Sequence, residues 1–428
     1  QTCALPILNT PAFSGFICIT MTLIAPYKAL HYNTGMFQDV SDVIVPPYDN
    51  IPVGEEKKYW NRSPYNLAHL TLPRKENEDY ANSALLLEKW QKESILKETA
   101  PSYFLYQQDF EAYGQTYSRK TLMCTVRLCD FKDQVVRPHE NTFGKYKADR
   151  LKLLKKTNCN LSHIFAMVVD KQGVLDKHFD QWSFEAPFLK GKSDEGVTHT
   201  LWKKEITGKD EIAAFFAERP IYIVDGHHRY ESSLNYAKEL GVAGTDHPAA
   251  QMMMAISNAY DPGLVVFPTH RLIKKGLLGD WNKQKFQEQY DLSPMTLEEL
   301  KVFVTKETPT PQFGLYVDGK LSLCKPKNWE DATDINPKPV RKLAVTWSDH
   351  KFLFELCNVN DTNRGEKITY DRDVMSAYNQ KENCDLIVFQ AKPSVIDVID
   401  VADAQGFMPQ KSTYFYPKLA AGFTLRKI

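Results

Sequence analysis

Residues 220–241 constrain the fold more than any other stretch: Pro-Ile-Tyr-Ile-Val-Asp-Gly-His-His-Arg-Tyr, then Glu-Ser-Ser-Leu-Asn-Tyr-Ala-Lys-Glu-Leu-Gly. Ile221 to Val224 is a short β-branched apolar run. From Tyr230 the apolar spacing becomes Tyr230, Leu234, Ala237, and Gly241 closes it. The change from a strand's period to a helix's predicts strand, tight turn, helix. Asp225, Gly226, His227, His228 and Arg229 then fall at the strand's carboxyl end and in the helix's first turn. Free backbone N–H groups and the positive end of the helix dipole favour an anion there, and Arg229 adds a fork suited to phosphate or carboxylate. The alternative is that Asp225 only caps the helix, Gly226 relieves a turn and the charges are solvated. A cap needs one polar residue, whereas two histidines, an arginine and an aspartate stand here.

The 428 residues are 43% hydrophobic and 25% charged, with 53 basic against 53 acidic side chains. Such a chain buries a substantial core, and its charge balance argues against nucleic acid or an anionic membrane as partner. The eight cysteines are dispersed with no C-x-x-C pair, which predicts reduced thiols and a cytoplasmic protein. Adjacent His227 and His228 diverge, and no third ligand is spaced for zinc. Residues 1–20 include an apolar run, Ala12 to Ile19, with no Lys or Arg before it, unlike a signal peptide. The opening QTCALPI matches translated sequencing adapter, so Met21 is taken as the start and residues 1–20 as read-through. No later stretch is apolar enough to span a membrane.

In chain order, Val45-Pro46-Pro47-Tyr48-Asp49 and Ser63-Pro64-Tyr65-Asn66 read as loops, and Tyr80, Ala84, Leu87 and Trp90 mark a helix. Two strands follow, Tyr103 to Phe110 and Gln115 to Phe131. A second polar cluster, Arg137-Pro138-His139-Glu140-Asn141-Thr142, opens a helix that carries Lys147 and Arg150. Lys152, Lys155 and Lys156 read as its solvated face. A carboxylate beside an imidazole suits a general base or a metal ligand. Residues 171–210 read as loop-rich. Gln251 to Ile256 is a buried strand whose methionines fill core. Polar groups gather again at Thr269, His270 and Arg271. Asp318-Gly319 predicts a hairpin between Phe313–Val317 and Lys320–Cys324. Asp349 and His350, in a helical pattern, read as surface residues. Lys411 and Ser412 lie in a final aromatic, basic segment, residues 409–418. The expected division is a phosphate-binding α/β core over 21–275, an accessory α+β region over 276–385 and a C-terminal segment, 386–428, returning to the core.

The stretches VPPYD (45–49), SPYNLAHLTLP (63–73), RPHENT (137–142), KADRLKLL (147–154), IYIVDGHHRYE (221–231), DPGLVVFPTHRL (261–272) and PQKSTYFYPK (409–418) resemble the family of domains of unknown function numbered one thousand and fifteen. The match runs through nearly everything after Met21, with Ser63 where that family usually has Asn. The Asp-Gly-His-His-Arg turn is similar to the phosphate-binding turn of the ParB and sulfiredoxin superfamily, which includes nucleotide-dependent free-serine kinases. The resemblance implies a mixed-sheet α/β core with large insertions. The bacterial setting of family members beside serine-biosynthesis genes implies serine metabolism. The cysteine that sulfiredoxins carry in this turn is absent, His227 and His228 standing in its place.

Together these features predict a kinase that moves a phosphoryl group between a nucleotide, ATP or ADP, and a small hydroxylated metabolite, free serine first among them. Phosphoryl transfer needs phosphate positioning, charge neutralisation and a carboxylate to orient the attacking hydroxyl. Glu140, Asp225, His227 and His228 are the candidate catalytic residues. Gly226, Arg229, Arg137, His139, Lys147, Arg150, Thr269, His270, Arg271, Lys411 and Ser412 are the candidate phosphate- or nucleotide-binding residues. Glu140 and Asp225 are also candidates to share a magnesium ion. The alternatives are a phosphate-ester hydrolase in the same pocket, or a nucleotide-sensing or nucleic-acid-binding module without turnover.

Overall fold

A computed structural model describes residues 23–52, 54–73, 80–140 and 144–428, without the side chains of 144–147. The read-through assigned to residues 1–20 and the side chain of Lys147 lie outside the described residues. The architecture is mixed α/β, built on two large sheets.

The first sheet has nine strands: β1 (Ile24–Ala25), β2 (Tyr103–Ala112), β3 (Gln115–Arg127), β4 (Val136–Arg137), β5 (Ile164–Val168), β6 (Leu189–Lys192), β7 (Thr198–Lys204), β8 (Ile221–Asp225) and β9 (Gln251–Asn258). Their order is β4-β8-β5-β9-β3-β2-β7-β6, with β1 pairing at the end of β3. Two pairs are parallel, β4 with β8 and β5 with β9. The centre of the sheet is covered on both faces, and every residue of β5 is buried. That explains the unbroken apolar run Ile164 to Val168, since only a one-sided strand shows alternation. Met252, Met253 and Met254 are all buried in β9, as core filling predicts.

The predicted turn forms as read: β8 ends at Asp225 and α2 (His227–Glu239) follows. An earlier helix, α1 (Gly144–Thr157), packs against α2. The stretch 171–210 is more regular than its sequence suggests. It holds a helix, Val174–Ser183, besides β6 and β7.

The second sheet is antiparallel, with strands β10 (His270–Lys274), β11 (Tyr290–Pro294), β12 (Phe313–Val317), β13 (Lys320–Pro326), β14 (Ile368–Asp371) and β15 (Cys384–Gln390) in the order β11-β13-β12-β15-β10-β14. Its strands come from both sides of residue 276 and of residue 386. The Asp318-Gly319 hairpin joins β12 to β13, with Asp318 and Gly319 both at positive φ as a two-residue turn requires. One apolar cluster runs from Tyr106 and Met253 of the first sheet to Phe313 and Val388 of the second. The chain's end returns to the first half. Leu425 bridges Leu30, Ala421 bridges Val45, and Arg426–Lys427 pairs with Cys159–Asn160.

Candidate active site

Parallel pairing brings the two main polar clusters together. Ile221 faces Val136 and Tyr222 faces Arg137, so β4 and β8 end at the same edge of the sheet. Three residues further along each chain stand Glu140 and Asp225. The carboxyl end of parallel strands is where open α/β sheets place ligands. A third segment closes over both: Met408 bridges Glu140, and the Met408 N–H donates to the His139 carbonyl at 2.8 Å.

The turn itself is organised around Arg229. Gly226 caps α2 at φ +98°, and no side chain caps that end. A Cβ on Gly226 would stand 2.8 Å from Arg229 Nη2, so both backbone conformation and contact demand glycine. Arg229 is buried, and its Nη2 donates to Asp225 Oδ2 at 2.9 Å. Its Nη1 donates to Ser162 Oγ at 3.0 Å and to the His163 carbonyl. Lys418 Nζ takes the other oxygen of Asp225, Oδ1, at 2.6 Å, and lies 4.7 Å from the Tyr414 ring centroid.

Asp225 therefore corrects two expectations. The helix cap is Gly226, and the Asp225 carboxylate is held between two cations. Burial works to raise its pKa, but Lys418 and Arg229 outweigh burial and hold the carboxyl well below the usual range. A carboxylate so held is a poor proton acceptor.

Glu140 is the opposite case. A quarter of its side chain reaches solvent, yet burial pushes its carboxyl up from 4.5 to about 7, against the pull of Lys418 and Lys411. A general base works best with a pKa near the working pH. His139 is buried beside it, with Nδ1 donating to the Ile223 carbonyl at 2.8 Å and Nε2 3.3 Å from Thr413 Oγ1. The rings of His139 and His227 meet edge to face at 4.9 Å, and the His139 N–H points to His227 Nε2 at 3.4 Å. Burial lowers His139 to about 4 and drives His227 well below its ordinary value, so both are neutral at pH 7. His228, half-buried, occupies the same first turn of α2.

Arg150 joins Arg229 on a neighbouring cavity of about 60 Å³, between the Val45–Tyr48 loop, α1 and α2. Residues of VPPYD, RPHENT, KADRLKLL, IYIVDGHHRYE and PQKSTYFYPK thus come together in one region.

The other candidates make pairings of their own, although Arg271 and Lys411 are near enough to pull the Glu140 carboxyl down. Arg137 turns away from the cluster and pairs with Asp403. Thr269, His270 and Arg271 open a strand of the second sheet. Arg271, fully buried, grips Asp349 at 2.8 and 3.2 Å, and its other terminal nitrogen donates to the Thr269 carbonyl. His270 Nδ1 accepts from the Gln390 N–H at 3.1 Å, and burial lowers its pKa to about 3. Asp349, read as a surface residue, is buried and also accepts from Arg364 at 2.9 Å. Both arginines donate to the Gln410 carbonyl, at 3.4 and 3.2 Å. They hold the segment that carries Lys411 and Lys418. Ser412 is buried and donates to the Pro409 carbonyl, so its hydroxyl serves that turn. Lys411 is exposed at φ +58°, close enough to act on Glu140.

Lys418 and Thr413 are the site residues that sequence reasoning passed over. The signal was present, because both lie in the PQKSTYFYPK stretch from which Lys411 and Ser412 were chosen.

Both Asp225 oxygens accept from cations, and among the described residues no group of three His, Cys, Asp or Glu side chains is arranged to hold a metal ion. Nor, among them, is any helix long and apolar enough to cross a membrane.

The family model described as Protein of unknown function (DUF1015) matches residues 24–346. Among solved structures, a conserved hypothetical protein from Pyrococcus furiosus is similar at a TM-score of 0.33 and 14% identity, over 70% of this chain and 95% of that one. A free serine kinase in complex with AMP gives 0.36 and 12%, over 71% and 91%. SbnI with a C-terminal truncation, from Staphylococcus aureus, gives 0.36 and 10%, over 71% and 87%. No curated protein matches. At these values the structural likeness bears on neither ligand nor reaction.

Proposed function

The chain belongs to the DUF1015 family, and from the geometry of its site we propose that it transfers a phosphoryl group from a nucleotide to a small hydroxylated metabolite. The observation that carries this reading is the placing of Glu140, with its carboxyl raised to about 7, level with Asp225 at the start of α2. An anion-favouring helix start and a base poised near neutrality are the two parts that phosphoryl transfer asks of a protein.

In this reading the phosphate to be transferred sits at the first turn of α2, beside His227 and His228. Lys418 and Arg229 together carry one positive charge more than Asp225 balances. That surplus offsets charge on the phosphate oxygens. Glu140, ionised, accepts the acceptor's hydroxyl proton as its oxygen bonds to phosphorus. The bond from phosphorus to the leaving oxygen breaks, and its electron pair stays with the departing nucleotide. Magnesium accompanies nucleotides in such reactions, but Asp225 does not suit it as a ligand, and no step is assigned to the ion. The resemblance of the Asp-Gly-His-His-Arg turn to that of free-serine kinases makes serine the first acceptor to test.

The test is to incubate the protein with ATP or ADP, magnesium and a pool of amino acids including serine, and to follow phosphorus by NMR. A new phosphoester signal is expected. Release of inorganic phosphate alone would replace the kinase with a hydrolase, and nucleotide binding without any new signal would replace it with a sensor.

A further inference from the structure

The backbone that delivers Lys418 to Asp225 is fastened at three successive carbonyls. Gln108 of β2 and Arg119 of β3 stand directly opposite each other in the first sheet, and both are fully buried. Arg119 Nη1 donates to the Tyr416 carbonyl at 3.1 Å, and its Nη2 donates to the Pro417 carbonyl and to Gln108 Oε1. Gln108 Nε2 completes the set by donating to the Lys418 carbonyl at 3.0 Å. The other end of the segment is tied separately, by Arg271 and Arg364 at the Gln410 carbonyl.

A tie between loop and sheet does not of itself need a charge. Every oxygen that Arg119 binds is neutral, and its guanidinium lies 4.5 Å from the Phe165 ring centroid. A buried cation without a counter-charge is costly, and burial pulls the Arg119 pKa down to about 10. A planar fork nevertheless fixes two adjacent carbonyls in one geometry. What that geometry serves is the side chain that follows, since Lys418 Nζ meets Asp225 Oδ1 at 2.6 Å.

We propose that Arg119 and Gln108 are positioning residues, a clamp that sets the Lys418 ammonium on Asp225 at the start of α2. The clamp stands on its own geometry, and its effect on catalysis rests on the phosphoryl-transfer reading.

Lys418 and Lys351 provide matched probes. Their side chains are 13% and 15% exposed, and Lys351 is likewise paired, with Asp334 and Glu355. Limited acetylation of the full chain with acetic anhydride, read peptide by peptide in a mass spectrometer, compares the two amines. In Arg119→Met, Lys418 should react at least about tenfold faster than in the wild type, the factor that one lost charge-assisted hydrogen bond makes in an equilibrium. Lys351 should stay within about twofold, because distant sites respond independently. Gln108→Glu separates position from folding and decides the matter if Arg119→Met does not fold. Its carboxylate gives Arg119 a counter-charge but sets an acceptor against the Lys418 carbonyl, so Lys418 should again be freed while the urea midpoint holds.

The pH profile of phosphoester formation is the second readout. Against burial, Lys418 pulls the Glu140 carboxyl down more than Lys411 and Arg271 do, while Asp225 pushes it up. A loosened Lys418 should therefore move the rising limb to higher pH, by about half a unit or more. Wild-type protection of Lys418 in both variants overturns the proposal. So does Lys351 becoming reactive in step with Lys418, which would make the clamp a general support of the fold, and a limb that stays in place although Lys418 is freed overturns its role in catalysis. Selective exposure of Lys418 in a protein that forms no phosphoester would uphold the clamp and remove the kinase.

Discussion

Two strand ends in this molecule carry nearly the same residue types and have opposite environments. At the end of β8, Asp225 shares its oxygens between Arg229 and Lys418, and the nearby Glu140 keeps a quarter of its side chain in contact with solvent. At the start of β10, Arg271 and Asp349 are both sealed, and Arg364 adds a second guanidinium to the one carboxylate, the arginines' other donors going to the Thr269 and Gln410 carbonyls. A buried ion cluster whose donors and acceptors are hydrogen-bonded holds parts of a structure together. A cluster with a raised carboxyl still open to solvent has chemistry left to do. The difference lies in what remains open to solvent, which residue type alone does not reveal.

The comparison breaks first at Asp349. Removing one partner of a buried ion pair costs about 3–5 kcal/mol, so Asp349→Ala should lower unfolding stability in urea by that order. A loss under about 1 kcal/mol, the range of exposed pairs, would show that the second cluster is no more structural than the first.

Glu140 provides the next effect. Its folded pKa of about 7 lies above the ordinary 4.5, so the folded state holds the proton more tightly than the unfolded chain. The resulting stability is complete below pH 4.5 and is lost as pH rises through 7. Glu140→Gln avoids that loss and should gain on the wild type between pH 4.5 and 8, by on the order of 3 kcal/mol. Urea midpoints at the two pH values measure it. A gap that does not change with pH would mean that Glu140 is ordinarily solvated.

The smallest effect belongs to the exposed face of α1. Lys155 pairs with Glu239 at the surface, and Lys155→Ala should shift stability by no more than about 0.5 kcal/mol and leave nucleotide binding unchanged. A tenfold loss of nucleotide affinity would draw that face into the site.

Local sequence made the β8 turn legible, because Ile221 to Ala237 carries its own change of period and Gly226 sits where positive φ is required. The hairpin at Asp318-Gly319 was legible for the same reason. Lys418 was not, since its partner Asp225 lies 193 residues away and no periodicity relates them. Asp349 was misread through helix geometry. Residues Trp347–Phe354 form a π-helix, whose wider turn moves side chains off the faces that a 3.6-residue period assigns. Arg137 was misjudged because its neighbours His139 and Glu140 enter the site, while on the strand its own side chain turns to Asp403. Glu140 was singled out as a carboxylate beside an imidazole, and it does lie 4.0 Å from His139 Nε2, but its raised pKa depends on burial that only the folded chain provides.

The most direct test of the site is Glu140→Gln in the phosphorus NMR assay, with nucleotide affinity measured in parallel. Replacing a general base by its amide keeps the shape and removes the proton acceptor. Phosphoester formation should therefore fall about 10²–10⁴-fold while nucleotide binding stays within about twofold. Phosphoester formed at the wild-type rate by Glu140→Gln would contradict the account.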